Sequence, residues 1–252
     1  MGRAVVVTGG GRGIGRAVAE RLLGGGDAVV VVETAPVPWL EPLVRAGRAA
    51  VVVGDAGDDA VAARAADAAV SLGALRGWVN NAAVFRDAWL HEAGGAAVAE
   101  LVRANLQPCL AGAAAAVRAF LAAGTGGAIV NVSSHQAQRA VGGALPYATA
   151  KAAVEGLTRA LAVDYGPLGI RVNAVALGSI TTGRMDEVPD RAGFERRLRE
   201  LHPLGRAGEG SEVADAVAYL LSDASSFITG AVLPVDGGRA AQGPDPEARR
   251  LD

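Results

Sequence analysis

Short runs of Val and Ala recur along the chain, separated by longer stretches in which apolar residues return every three to four positions. The runs Ala4–Thr8, Ala28–Glu33, Ala50–Gly54, Gly77–Asn80, Ala128–Ser133, Arg171–Ala176 and Val232–Val235 are short and rich in β-branched residues. Strands covered on both faces read this way, whereas a half-exposed strand would alternate. Helical period marks Ile14–Gly24, Asp58–Ser71, Ala96–Ala123, Tyr147–Tyr165 and Ser211–Leu221, with a shorter helix over Pro38–Ala46. Pro146 stands at the start of the Tyr147 helix, where its missing N–H costs nothing. The alternation predicts an α/β fold: a doubly wound, mostly seven-stranded parallel sheet with helices on both faces, its crossovers right-handed. No linker or repeat divides the 252 residues, so a single domain is expected. Two segments fall outside the alternation. Leu177–Arg206 lacks a strand and follows one, which makes it a candidate substrate lid. Ala240–Asp252 is polar and Pro-containing and is expected to fray.

Composition narrows the classes. Hydrophobic residues make up 51% and aromatics only 4%, so the core must be built from Ala, Val and Leu. The net charge of −2 is spread along the chain with no basic stripe, which argues against nucleic acid. The longest apolar region, Pro108–Ala123, is interrupted by Arg118 and reads as a core or interface helix, with no membrane span expected. Cys109 is the single cysteine, and no signal peptide is evident; both point to a reducing, cytoplasmic location. His91, His135 and His202 lack metal-ligand spacing, and no metal is expected. Against this bland background, Lys151 is the only lysine among 24 basic residues, and asparagine occurs only at 80, 81, 105, 131 and 173. These exceptions are where chemistry is sought.

The first strand runs into Thr8-Gly9-Gly10-Gly11-Arg12-Gly13-Ile14-Gly15, and a helix follows. Gly9, Gly11, Gly13 and Gly15 allow a sharp turn and close approach of a pyrophosphate, which then sits at the helix N-terminus beside Arg12 and Ile14. A Walker-type loop is excluded, because it needs a Gly-Lys pair and the lysine is elsewhere. Glu33 ends the second strand about 20 residues on. A carboxylate there accepts hydrogen bonds from ribose hydroxyls and repels a 2′-phosphate, favouring NAD with NADP possible. Asp55, just past the third strand, is placed to reach the adenine.

Tyr147 and Lys151 are four apart on a predicted helix and share one face. A free phenol titrates near pH ~10. A neighbouring ammonium and an oxidised nicotinamide are expected to stabilise the phenolate, letting Tyr147 exchange a proton with a substrate hydroxyl. Ser134, 13 residues earlier, can hydrogen-bond the same oxygen.

Together Thr8–Gly15, Asn80-Asn81-Ala82-Ala83, Asn131-Val132-Ser133-Ser134, Tyr147-x-x-x-Lys151 and Asp236-Gly237-Gly238 resemble the short-chain dehydrogenase/reductase family over nearly the whole chain. The resemblance implies a Rossmann-type domain carrying both sites, with Ser134, Tyr147, Lys151 and Asn105 as the catalytic set. Asn105 would hold a water in a proton relay from Lys151, which itself would bind the nicotinamide ribose. Asn81 would support the cofactor, while Ile180 and Thr182 would bind the nicotinamide carboxamide. A homotetramer or homodimer is implied, with contacts across the small-residue face of the Tyr147 helix. One departure stands out: Leu177-Gly178 replaces the family's usual Pro-Gly and loses proline's fixed φ. The expected activity is hydride transfer between a nicotinamide cofactor and a secondary alcohol or ketone. An NADPH-dependent 3-oxoacyl-type reductase is the alternative, and a non-catalytic nicotinamide sensor a more distant one. Phe85, Trp89, His135 and Gln136 are candidate pocket residues whose orientation the sequence leaves open.

Overall fold

The computed structural model describes residues 2–181 and 190–243. Seven parallel strands form one sheet in the order β3-β2-β1-β4-β5-β6-β7. They are β1 (Arg3–Thr8), β2 (Ala28–Glu33), β3 (Ala49–Val53), β4 (Ala74–Asn80), β5 (Gly127–Ser134), β6 (Ile170–Leu177) and β7 (Val232–Val235). The helices are α1 (Gly13–Gly24), α2 (Glu41–Arg45), α3 (Asp59–Leu72), α4 (Leu90–Ala123), α5 (Leu145–Tyr165), α6 (Arg191–Leu201) and α7 (Gly210–Leu221). β1, β2 and β3 are laid down in one direction; the chain then returns to place β4 on the other side of β1. That reversal opens a crevice beyond the carboxyl ends of β1 and β4, where such sheets bind ligands.

Both faces of the sheet are covered. Val5, Val7, Val29 and Val31 point to α1 and α7, while Val6, Val30, Trp78 and Ile129 pack with α3, α4 and α5. Each fully buried valine contributes roughly 1.5–3 kcal/mol, so a core with few aromatics suffices. α4 is long and apolar enough to cross a membrane, yet half of its most apolar window is buried inside the protein. One polar chain crosses the core: Trp78 Nε1 donates to Asn80 Oδ1 (2.9 Å), Asn80 Nδ2 to Asn131 Oδ1 (2.8 Å), and Asn131 Nδ2 to Thr158 Oγ1 (2.9 Å). It ties β4, β5 and α5 together below the crevice. Every member has a partner, as buried polar groups require.

Three expectations change. The helix read over Pro38–Ala46 is a 3-10 turn at Pro38–Leu40 followed by the short α2. α4 begins at Leu90 and not Ala96, because a first short turn joins the main helix across Gly94, whose φ of 76° only glycine adopts cheaply. Within the candidate lid, Arg191–Leu201 is a helix capped by Asp190, whose carboxylate accepts from Gly193 N. Its apolar face is thin, so its periodicity is faint in the sequence. At the start of the tail Ala240 N donates to Asp236 Oδ2 at 2.7 Å. Residues 244–252 lie outside those described.

Candidate active site

Four elements meet at the carboxyl edge of the sheet. The first is the glycine turn between β1 and α1. Gly9 and Gly13 have φ of 67° and 55°, and a Cβ at Gly15 would collide with the Gly9 carbonyl and Asn81 Nδ2. The turn is braced from β4: Asn81 Nδ2 donates to Thr8 O (2.9 Å) and Gly9 O (3.1 Å), and the Asn81 and Ala82 amides donate to Thr8 Oγ1. Asn81 therefore supports the loop. Arg12 is exposed in extended backbone just before α1, and Ile14 packs behind the turn. Trp39 Nε1 donates to Gly11 O at 3.0 Å, a support the sequence reading missed.

At the end of β2, Glu33 Oε2 accepts from Gly11 N (3.1 Å) and Oε1 from Thr34 N (3.0 Å). The carboxylate is thus fixed beside the glycine turn with lone pairs remaining. Asp55 is exposed past β3, where its Oδ1 accepts from Gly57 N at 2.8 Å. A tight backbone turn, a helix N-terminus and a fixed acid at the second strand fit the pyrophosphate and ribose of a dinucleotide.

Ser134 ends β5, and Tyr147 and Lys151 lie on the first turns of α5. All three are buried, and the Ser134 hydroxyl lies near enough to the Tyr147 phenol to favour its ionised form. Ser134 Oγ also accepts from Gln136 N at 3.2 Å. Lys151 Nζ donates to Val132 O at 2.7 Å and lies 5.4 Å from the Tyr147 ring centroid. The expected lowering of the phenol is not found. Burial pushes Tyr147 up to about 12, with the Ser134 hydroxyl opposing, and burial pushes the Lys151 ammonium down. Desolvation is the larger effect on Tyr147, and the Lys151 ammonium is bonded to the Val132 carbonyl.

Asn105 is buried on α4. Its Oδ1 accepts from Val84 N (3.0 Å) and its Nδ2 donates to Leu101 O (3.1 Å). The first of these bonds fixes the β4–α4 loop, which carries Phe85 over Tyr147 with ring centroids 4.8 Å apart. Phe85 is 57% and Trp89 55% exposed, and with Val84, Val141 and Leu145 they form an apolar rim. Gln136 is half-buried, whereas His135 turns inward, its Nδ1 3.1 Å from Leu177 O. Ile180 is buried and its backbone bridges to Gly208; Thr182 lies outside the described residues.

The profile of the enoyl-(acyl carrier protein) reductase family matches residues 9–240. A 2,5-dichloro-2,5-cyclohexadiene-1,4-diol dehydrogenase of Sphingobium indicum is 38% identical over 252 residues, covering 95% of this chain and 98% of that protein. A cis-4-hydroxycyclohexanecarboxylate dehydrogenase of Sinomonas cyclohexanicum is 40% identical over 246 residues, covering 95% and 97%. The chain is a short-chain dehydrogenase/reductase. Among solved structures, a gluconate 5-dehydrogenase of Burkholderia cenocepacia in complex with NADP and tartrate superposes with a TM-score of 0.86, at 33% identity over 96% of both chains. This short-chain dehydrogenase/reductase is an oxidoreductase of nicotinamide-dependent hydride transfer at CH–OH or C=O groups.

Proposed function

We propose that the protein is an NAD-preferring dehydrogenase/reductase for a secondary alcohol carried on an alicyclic ring, or for the matching ketone. The observation that carries this is the convergence of Ser134, Tyr147 and Lys151 under an aromatic wall formed by Phe85. A ring substrate presents a flat apolar face to Phe85 while its one oxygen reaches Ser134 and Tyr147. An open-chain polyol would leave its hydroxyls against that wall without partners, which is costly. The two relatives with cyclohexane and cyclohexadiene substrates support the same reading.

Bound along the glycine turn, the nicotinamide cofactor supplies or takes up the hydride. Gly9, Gly11, Gly13, Gly15, Arg12 and Ile14 hold its pyrophosphate, Asn81 braces the turn, and Asp55 lies toward the adenine. The Ile180 and Thr182 segment meets the carboxamide, and Lys151 meets the ribose. Glu33 accepts from the adenosine ribose hydroxyls and opposes a 2′-phosphate, which favours NAD although a relative's structure carries NADP. Ser134 Oγ holds the substrate oxygen and Tyr147 passes it a proton. At about 12, Tyr147 stays protonated at neutral pH as a weak acid; positive charge near it would lower its pKa and ease proton exchange with the substrate oxygen. Asn105, with one lone pair and one N–H remaining, can hold the water that returns a proton to Lys151. We further infer one domain carrying both sites, a cytoplasmic setting and a homotetramer or homodimer through the small-residue face of α5.

The test is fluorescence titration with NADH and NADPH, followed by turnover of cyclohexanol-type and open-chain secondary alcohols. Tighter NADH binding and preferential turnover of the ring alcohol are expected. Preference for NADPH would remove Glu33 from its role, and preference for sugar acids would remove the ring.

A further inference from the structure

Leu177–Ser179 leads from the end of β6 into the segment proposed to meet the nicotinamide, and here a leucine stands where proline would have fixed the backbone. Ser134–Leu177 is the last rung between β5 and β6, because β5 then turns into a 3-10 turn at His135–Ala137. The His135 ring supplies the next bond in its place, its Nδ1 lying 3.1 Å from Leu177 O. A carbonyl only accepts, so Nδ1 must carry the hydrogen. His135 is 6% exposed, and its Nε2 is buried with no hydrogen-bond partner among the described residues. A proton there would create a buried cation near Arg239 and His202, with Asp236 opposing them. Burial first, then Arg239, accordingly push its pKa down.

His202, between α6 and α7, repeats the arrangement from the other direction along the chain. It is 1% exposed, and its Nδ1 lies 2.9 Å from Leu198 O, so that nitrogen too carries hydrogen. Its Nε2 is therefore an acceptor, and Ser179 N donates to it at 3.2 Å. Ser179 Oγ accepts in turn from Arg239 Nη1 at 3.0 Å.

We propose that His135 and His202 are positioning residues which, as neutral imidazoles hydrogenated on Nδ1, grip Leu177 and Ser179 and set the backbone entering the nicotinamide segment. The role rests on the reading of that segment as cofactor-binding. Replacing either ring by leucine removes the grip; at His135 it also removes the 3.5 Å approach of Nδ1 to Ser134 Oγ, so the leucine variants are read on NADH affinity and not on turnover. His135→Asn keeps it, because the asparagine Nδ2 occupies the place of the histidine Nδ1.

Long-range 15N–1H correlation spectra of 15N-histidine-labelled protein near neutral pH test the tautomers directly, with assignments from His135→Asn and His202→Gln. Both rings are expected to be neutral with hydrogen on Nδ1; an Nε2–H tautomer or an imidazolium at either position overturns the proposal. In parallel, NADH affinity is measured by fluorescence on folded protein. His135→Leu and His202→Leu are expected to weaken it about tenfold, and His135→Asn to stay within about twofold of the parent. A purely structural role would lower the melting temperature of the leucine variants and leave NADH affinity unchanged, which would also overturn the proposal. If a leucine variant does not fold, the spectra and the Asn and Gln variants decide. Failure of the parent protein to bind NADH or NADPH would instead remove the nicotinamide reading of the segment, and the tautomers would still judge the grip.

Discussion

The two edges of the sheet both carry charge and open space, and they use them in opposite ways. At the amino edge a cavity of about 700 Å³ is bordered by Arg3, Arg76, Arg171, Asp223 and Phe227. Its arginines are already engaged. Arg171 donates to Leu220 O, Ser222 O and Ser225 Oγ at 2.8–3.0 Å, Arg3 to Leu221 O at 3.0 Å, and Arg76 to Thr125 O. Leu220 and Leu221 end α7, so the Arg171 and Arg3 guanidiniums close the last carbonyls of that helix and complement its dipole. At the carboxyl edge the polar groups hold one another but retain capacity: Ser134 Oγ, the Tyr147 hydroxyl, the Glu33 carboxylate and the outward amides of the glycine turn. Volume and charge alone therefore do not mark the site. Polar groups held in place with bonding capacity left over do, and they lie where the strand order reverses.

The contrast breaks if substitutions at the two edges have the same kind of effect. Tyr147→Phe is expected to lower kcat by roughly 10²–10⁴, or about 3–5 kcal/mol of barrier, with the melting temperature nearly unchanged. Arg171→Met should do the reverse. Losing its bonds to four acceptors is expected to cost about 2–4 kcal/mol of stability in urea denaturation, while kcat per folded molecule stays as it was. An Arg171→Met protein with native stability, or with altered kcat, would erase the distinction between the edges.

A smaller effect follows from burial at the carboxyl edge. Tyr147 ionises at about 12 in the folded protein against about 10 when unfolded. The folded state thus binds the phenolic proton more tightly, and its stability falls as pH rises from 10 toward 12. At about 1.4 kcal/mol per pH unit the loss is about 3 kcal/mol at most. Ultraviolet titration should show one of the three tyrosines ionising late, and that step should vanish in Tyr147→Phe. A late step that persists belongs to Tyr165 or Tyr219 and would remove the assignment.

How much of this was legible in the sequence depends on how local each signal is. All seven strands were, because a buried parallel strand writes itself as a short β-branched run, and so were the glycine turn and the Tyr147–Lys151 pair, fixed by spacings of a few residues. α6 was not, since Phe194, Leu198 and Leu201 give it only a thin apolar stripe among six charges. Nor was the Tyr147 pKa, which depends first on how deeply the folded chain buries the phenol. His135 and His202 are 67 residues apart and meet only through Leu177 and Ser179. Asn105 was legible as a motif asparagine, but its bond to Val84 N, which sets Phe85 over Tyr147, requires the loop's three-dimensional path. Contacts made across the chain by side chains to backbone leave no periodic trace.

The smallest expected effect is also the one that sharpens what the carboxyl edge selects. Phe85 stacks on Tyr147 yet leaves more than half its surface open, so it contributes a wall and no reacting atom. Removing the ring in Phe85→Ala should therefore act on ground-state and transition-state binding alike, raising KM for a cyclohexanol-type substrate about tenfold, near 1.4 kcal/mol, with kcat within about twofold. An open-chain secondary alcohol, which makes less use of the wall, should change little. If KM for both substrates rises together, Phe85 is holding the β4–α4 loop and not the ring. If kcat falls instead, the stacking contact is orienting Tyr147, and selection of the substrate must come from the other side of the crevice.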